Sequence, residues 1–255
     1  MERRQQLVVL RVLPIAILRV PLHPHGKRLG AFHADRLDLT VLAHGLDLQS
    51  LAQAVDALAV QHGAQLTLLR LPENQGKGGA VMTGMRHALA KGHSHALQID
   101  ADGQHAVADI PAFIALARAQ PGAMVGGAPR YDASVPKARL YGRYATHVWV
   151  WINTLSTDIK DSMCGFRVYP VAPACAQIRR HNMDERMGFD SEILVYLHWY
   201  GVKFINLPTP VTYPSGGVSH FLPWRDNLNL SRTHAKLFFG MLWRLPMLLS
   251  RRLGR

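Results

Sequence analysis

Residues 96–105 read Ala-Leu-Gln-Ile-Asp-Ala-Asp-Gly-Gln-His. Ala96, Leu97 and Ile99 make a short apolar run of the kind that forms a buried strand. The run passes straight into two carboxylates, Asp100 and Asp102, followed by Gly103, Gln104 and His105. Open α/β sheets bind their ligands beyond the carboxyl ends of the strands, which is where these acids fall. Strand alternation sends Asp100 and Asp102 to the same side. Two hard oxygen ligands so close repel unless a proton or a cation sits between them. Mg²⁺ or Mn²⁺ is the usual cation when phosphates supply the remaining ligands, and Gln104 adds a neutral oxygen. The competing reading is a plain polar turn after a strand, since Asp-Gly is turn chemistry. A calcium loop of the EF-hand type is excluded. Its sixth position falls on His105 instead of Gly, and its twelfth on Pro111 instead of Glu.

Upstream, residues 66–71 read as an apolar strand and residues 80–90 as a helix. Between them lies Pro72-Glu73-Asn74-Gln75-Gly76-Lys77-Gly78-Gly79. A glycine-rich turn before a helix offers free backbone N–H groups and a positive dipole end to phosphate, and Lys77 adds a full charge. Tight packing of the turn explains the glycines equally well, and the spacing is not that of a Walker A loop. Downstream, residues 108–119 read as a helix and 123–127 as a strand leading to Arg130. The stretch from 66 to 127 is therefore β-α-β-α-β, which implies a mostly parallel sheet wrapped by helices. Before it, Leu48, Leu51, Ala52, Val55 and Leu58 recur at helical spacing, and Gly63 closes that helix.

Residues 135–154 read as a helix carrying Lys137, Arg139 and Arg143, then Tyr141, Tyr144, Trp149 and Trp151. One reading gives it a packed aromatic face and a solvated basic face; the other makes the basic side a phosphate clamp. Asp161-Ser162-Met163-Cys164-Gly165-Phe166-Arg167 leads into a strand that Pro170 ends. Gly188-Phe189-Asp190-Ser191-Glu192 opens a helix that Asp190 or Ser191 is expected to cap and Gly201 to end. Residues 203–207 read as a strand, and Pro208, Pro210 and Pro214 mark a long loop. The tail, residues 223–255, alternates basic and apolar side chains. It fits an amphipathic helix lying on an anionic membrane surface, or one packed on its own core.

The chain's 255 residues are 48% hydrophobic, enough to bury a substantial core, and carry a net charge of +12. Such a balance points to an anionic partner. Nucleic acid is not expected: no zinc-finger spacing or ribonucleoprotein-type aromatic motif occurs, and the charge is dispersed. Cys164 and Cys175 are too few for a disulfide framework and suit reduced thiols in a cytoplasmic protein. The fourteen histidines show no zinc-ligand spacing. No apolar segment approaches the roughly 20 residues that span a bilayer, and Arg11 and Arg19 interrupt the N-terminal apolar stretch, so no signal peptide is expected.

From residue 66 onward, about three quarters of the chain resembles family 2 glycosyltransferases of the GT-A fold, close to the dolichol-phosphate mannosyltransferase-like branch. The resemblance rests on an ordered set. It comprises Asn74-Gln75-Gly76-Lys77-Gly78, Asp100-Ala101-Asp102-Gly103-Gln104-His105, Arg130, Asp161-x-x-x-Gly165-Phe166-Arg167 and Phe189-Asp190-Ser191-Glu192. It implies an enzyme that moves a sugar from a nucleotide-diphosphate sugar to a lipid-linked or other membrane-associated acceptor. By resemblance, Asp100, Asp102 and Gln104 hold Mg²⁺ or Mn²⁺, and Lys77, Gly78 and Asp100 lie at the nucleotide. Arg130, Arg143 and Arg167 take an acceptor phosphate. Asp190 or Glu192 serves as the base if the acceptor is a hydroxyl. The protein is expected in the cytoplasm, peripheral on the inner face of the membrane.

The first 45 residues depart from the family pattern. The family opens with a strand ending in a Pro-x-Tyr-Asn-like motif and a second ending in Asp-Asp-Gly-Ser, and neither is found; residues 41–47, Val-Leu-Ala-His-Gly-Leu-Asp, stand where the second belongs. We therefore divide the chain into an atypical segment 1–45, foreign to the family through a shifted reading frame or a misplaced start, a transferase domain 46–222 and a tail 223–255. Two other readings compete. A phosphatase of the haloacid dehalogenase type also uses Asp-x-Asp after a strand, but its later Lys and paired acidic motif are not found. A transferase fold without activity, acting as a basic membrane-surface module, accounts for the missing N-terminal motifs.

Overall fold

The computed structural model describes residues 12–18, 37–43, 66–71, 74–100, 104–131, 135, 137–212 and 223–253. Seven strands form one sheet: β1 (Val12–Leu18), β2 (Leu37–Ala43), β3 (Leu66–Arg70), β4 (His95–Gln98), β5 (Met124–Tyr131), β6 (Arg167–Pro170) and β7 (Phe204–Val211). Their order across the sheet is β3-β2-β1-β4-β6-β5-β7. Six helices are described: α1 (Gly76–Ala90), α2 (Ile110–Ala119), α3 (Lys137–Thr154), α4 (Val171–Arg180), α5 (Phe189–Trp199) and α6 (Pro223–Leu253). The helix expected over residues 47–63 lies outside the described residues.

The sheet is mixed, which corrects the expectation of a mostly parallel one. Only β2–β3 and β5–β7 pair in parallel; β1 is antiparallel to β2 and β4, and β6 to β4 and β5. Tracing these pairings, β2, β3, β4, β5 and β7 all run the same way. The β-α-β-α-β pattern thus predicts the strand directions correctly, but the reversed strands β1 and β6 are inserted between them. This arrangement brings the carboxyl end of β4, with Asp100 beyond it, the carboxyl end of β5, with Arg130, and the start of β6, with Arg167, to one edge.

Helices cover both faces. Consecutive strand residues divide between two cores as the pleat requires. Ala96, Met124 and Tyr169 face the core built with Met85, Ile178, Leu194 and Leu237. Leu97, Val125 and Val168 face the core built with Phe113, Ile114 and Phe166. β4 is buried on both sides, so the Asp100 that follows it is held from two faces.

Three local expectations change. Helix α1 begins at Gly76, four residues ahead of the expected start, because its glycines pack against residues 184–186: a Cβ on Gly76 would strike Glu185 O, and one on Gly78 would strike Asp184 O. Strand β7 continues through Pro208 and Pro210 where a loop was expected. It is the last strand of the sheet, bridged on its outer side by His105 at Val211, and proline is tolerated in such an edge strand. Neither Asp190 nor Ser191 caps α5; Gly188 occupies the cap position, and its N–H donates to Asp184 Oδ2 at 2.7 Å.

Helix α3 inverts the usual amphipathic arrangement. Thr146, His147, Asn153 and Thr154 are buried, while Tyr141 (72% exposed), Tyr144 (54%), Val148, Trp149 and Ile152 face outward. Of the expected packed aromatic face, Tyr141, Tyr144 and Trp149 are therefore exposed, while Trp151 is half-buried and donates to Ile159 O at 2.8 Å. Helix α6 splits in the same manner. Leu237, Met241 and Leu248 enter the core, while Trp224, Phe239 and Trp243 are 93%, 70% and 86% exposed. Trp149 of α3 stacks on the buried His234 and meets Phe238 edge-on, so the two helices pack against each other there. No helix among the described residues is long and apolar enough to cross a membrane.

Candidate functional site

Two charged groups meet at the sheet edge, and residues 161–167 contribute to both. The first centres on Lys77, in the first turn of α1. Its ammonium lies 2.8 Å from Asp100 Oδ2 and 2.7 Å from Asp190 Oδ2. Asp190 stands in the first turn of α5, and its other oxygen, Oδ1, is 3.3 Å from Arg167 Nη1. The Arg167 guanidinium, 1% exposed, donates to Asp190 O at 2.8 Å, Ser162 O at 2.8 Å and Tyr169 Oη at 3.1 Å. Tyr169 in turn donates to Gln98 Oε1 at 3.0 Å. The group is thus a chain of alternating charge, Asp100–Lys77–Asp190–Arg167, closed by a buried Tyr–Gln pair.

Burial alone would drive the Lys77 proton off, but Asp100 and Asp190 outweigh it and hold the ammonium above its ordinary range. Burial would likewise raise Asp100, yet Lys77, with His105 and Arg167 behind it, keeps that carboxyl below its usual value. Arg167 stays charged for the same reason: burial opposes the charge, and Tyr169 and Asp190 more than offset it.

Gly165 explains its place in the Asp-x-x-x-Gly-Phe-Arg stretch. A Cβ there would overlap the Asp100 carboxylate, so any side chain would displace that acid. Asp100 also carries an unanswered atom. Its Oδ1 is buried and has no hydrogen-bond partner among the described residues. A buried, ionised, unpaired carboxylate oxygen suits a cation ligand. Asp102 lies outside the described residues. Gln104 sits beside the end of β7, where its carbonyl accepts from Thr212 N at 3.2 Å. Among the described residues no three acidic, cysteine or histidine side chains cluster as a metal site.

The second group is a cleft of about 170 Å³ between the end of β5 and α3. Tyr131, Arg143, Tyr144, His147, Lys160 and Asp161 line it. Asp161 is the one acid among the described residues that line it. It accepts from Arg143 Nε at 2.9 Å and Nη2 at 3.2 Å, from His147 Nε2 at 3.1 Å and from the backbone N–H of Met163 and Cys164 at 2.8 and 2.6 Å. Burial would raise the Asp161 carboxyl, but His147 and Arg143 hold it well below the ordinary range. Cys164, enclosed beside it, is pushed up to about 12 by burial and by Asp161, so it is an inert thiol.

Of the three expected phosphate-binding arginines, Arg143 lines the cleft. Arg130 lies exposed at its rim, between Pro129 and Tyr131, which also line it. Arg167 joins the Lys77 group instead. Gly78 is buried, and the N–H of the neighbouring Gly79 donates to Glu185 O at 2.9 Å, so close packing accounts for this glycine run. Glu192 has a different environment from Asp190. Fully buried, it pairs with Lys236 through Oε1 and accepts from Asp184 N at 2.7 Å through Oε2. Sequence reasoning did not single out Lys160, His147 or Tyr169. Only their proximity in the fold identifies them.

Residues 49–186, more than half of the chain, match the family model described as glycosyl transferase family 2. A dolichyl-phosphate beta-glucosyltransferase of Drosophila melanogaster is 30% identical over 145 residues, which is 52% of this chain and 43% of the relative. The chain thus spans less than half the length of that curated relative.

Proposed function

Because the chain belongs to glycosyl transferase family 2, we propose that it transfers a sugar from a nucleotide-diphosphate sugar to a polyprenyl-phosphate-like acceptor at a membrane surface. The observation that carries this reading is the difference in charge between two adjoining groups. Among the described residues, the Lys77 group balances two cations, Lys77 and Arg167, against two acids, Asp100 and Asp190. A nucleotide diphosphate neutralised by a divalent cation adds little net charge there. Among the described residues of the cleft, Arg143 and Lys160, with Arg130 at the rim, outnumber Asp161. An anionic acceptor entering unaccompanied by metal supplies the missing charge.

Asp100 and Asp102, with Gln104, would hold Mg²⁺ or Mn²⁺, which neutralises the diphosphate as it departs. The unpaired Asp100 Oδ1 supports that assignment. Lys77 orients toward the same carboxylate and supplies a fixed positive charge to the leaving group. In the transfer, an acceptor phosphate oxygen forms the bond to the anomeric carbon as the bond from that carbon to the diphosphate oxygen breaks. Such an acceptor is already ionised, so no side chain need take a proton. This agrees with Asp190, whose oxygens face Lys77 and Arg167 and which therefore aligns the lysine instead of acting as a base. The Drosophila relative's name, which includes a dolichyl phosphate, supports the same acceptor class.

The exposed aromatic faces of α3 and α6 support contact with a bilayer, where tryptophan and tyrosine favour the interface. Tyr144 belongs both to that face and to the cleft wall, so a lipid phosphate at headgroup depth would meet Arg143 directly. The family match begins at residue 49, which supports treating residues 1–45 as outside the family pattern.

The test is calorimetric titration with UDP and GDP, with and without Mn²⁺. Binding should require Mn²⁺ and vanish in Asp100→Asn. Equal binding without metal, or binding unaffected by the substitution, would rule the reading out.

A further inference from the structure

We infer that Glu192 and Lys236 form a positioning pair through which the C-terminal helix α6 sets the geometry of the Lys77 group. The inference rests on the reading of that group as the donor site. The path is continuous. The Glu192 side chain has no exposed surface, and its Oε1 meets the ammonium of Lys236, on α6. Lys236 also donates to Asn182 O at 2.8 Å, and Glu192 Oε2 accepts from Asp184 N at 2.7 Å. These contacts fasten the start of the 182–188 turn to α6. Asp184 closes the turn, taking the N–H of Arg186 at 3.2 Å and of Gly188 at 2.7 Å. Thr233 of α6 presses on its far end, where a Cβ on Gly188 would meet the Thr233 hydroxyl oxygen.

The opposite side of the same turn is the floor of α1. Glu185 O accepts from Gly79 N at 2.9 Å, and the turn's carbonyls approach Gly76 and Gly78 too closely for any side chain. Lys77 sits between those glycines. Its partner Asp190 belongs to α5, which begins where the turn ends. Both halves of the Lys77–Asp190 pair therefore hang from one turn, and that turn is anchored by one buried carboxylate. An unpaired charge in such a site is strongly disfavoured; Lys236 supplies the cation that pairs with Glu192, and Tyr196 adds a hydrogen bond. Groups that orient a site's ligands from behind typically change its affinity by roughly 10–100-fold when removed.

The experiment uses the full chain and the variants Lys236→Met, Lys236→Arg and Glu192→Gln, with folding checked by circular dichroism. Two readouts are taken: hydrogen exchange at the Gly79 amide, and Mn²⁺-dependent binding of GDP or UDP. In Lys236→Met and Glu192→Gln the Gly79 amide should exchange roughly tenfold faster, because its acceptor Glu185 O is no longer held. Nucleotide binding should weaken about tenfold or more, and Lys236→Arg should restore both. Glu192→Gln keeps an acceptor for Asp184 N, so it reports on the pair if Lys236→Met fails to fold. Unchanged Gly79 exchange in the folded variants overturns the inference, as does faster exchange with nucleotide binding intact. If the wild-type chain binds no nucleotide, the donor reading falls, while the exchange arm still decides whether α6 holds the turn.

Discussion

The Lys77 group and the Arg143 cleft are built from the same residue types and behave differently. Around Lys77 each acid depends on a small number of cations. Asp100 has no hydrogen-bond partner other than Lys77 among the described residues. In the cleft, Asp161 has five donors, two of them backbone N–H groups that no side-chain truncation removes. Exposure does not separate the two, since the Lys77 and Arg143 side chains are 15% and 17% exposed. The difference lies in redundancy. A group whose charges have single partners is held together by each of them and is sensitive to what enters it. A redundantly bonded acid fixes Arg143 in place and leaves the cleft with cations in excess for a ligand.

The sharpest way to break that comparison is to remove one cation from each group. Lys77→Met leaves Asp100 without its partner and Asp190 with Arg167 alone. It should cost about 3–5 kcal/mol of stability, the range for breaking a buried pair. Arg143→Met leaves Asp161 with His147 and its backbone donors, and should cost about 1–2 kcal/mol, near the value of an ordinary hydrogen bond. Urea unfolding of the two variants beside wild type measures both. Equal losses would show that redundancy is not what distinguishes the groups.

How much of this could be read in advance follows from the range of the interactions. The strand-to-Asp100 junction, the Lys77 turn and the Gly165-Phe166-Arg167 entry into β6 are local patterns, and the fold brings all three together around Lys77. Partnerships across the chain were not legible. Nothing local tells that Asp190 answers Lys77, or that Lys236 answers Glu192. The early start of α1 was hidden because Gly76, Gly78 and Gly79 have poor helix propensity, and only packing on residues 184–186 overrides it. β6, four residues long, gives no sign that it separates β4 from β5. In α3 the periodicity reveals two faces but not which one is inside; the answer, with His147 and Asn153 buried and Tyr141 exposed, reverses the usual assumption.

Acid titration sharpens the comparison further. Asp161 and Asp100 both have folded-state carboxyls held below the ordinary value of 3.8. A carboxyl lowered on folding contributes stability that is fully present above that value and is lost as pH falls through the lower, folded-state range. Asp161→Asn should therefore flatten the acid limb of the stability curve below about pH 4, by on the order of 1 kcal/mol at pH 3. Chemical unfolding at pH 6, 4 and 3 measures this. If Asp161→Asn leaves the slope unchanged, Arg143 and His147 do not stabilise the charged form as their geometry implies.

The smallest expected effect addresses the claim that the cleft keeps cations in reserve. Lys160 lines it, is exposed, and makes no side-chain ion pair among the described residues. Removing its charge leaves no buried acid behind, so Lys160→Ala should leave stability within about 0.5 kcal/mol of wild type. An exposed charge facing an anionic ligand contributes about 1 kcal/mol, which corresponds to roughly a fivefold rise in KM for a polyprenyl-phosphate acceptor. The KM for the nucleotide sugar should not move, because Lys160 belongs to the group that carries net positive charge and not to the balanced one. The dependence on salt makes the assignment specific: the gap between wild type and Lys160→Ala should narrow as ionic strength rises, since exposed charges are screened. A rise in donor KM instead would mean that the two groups are not separate sites, and the division on which the comparison stands would have to be redrawn.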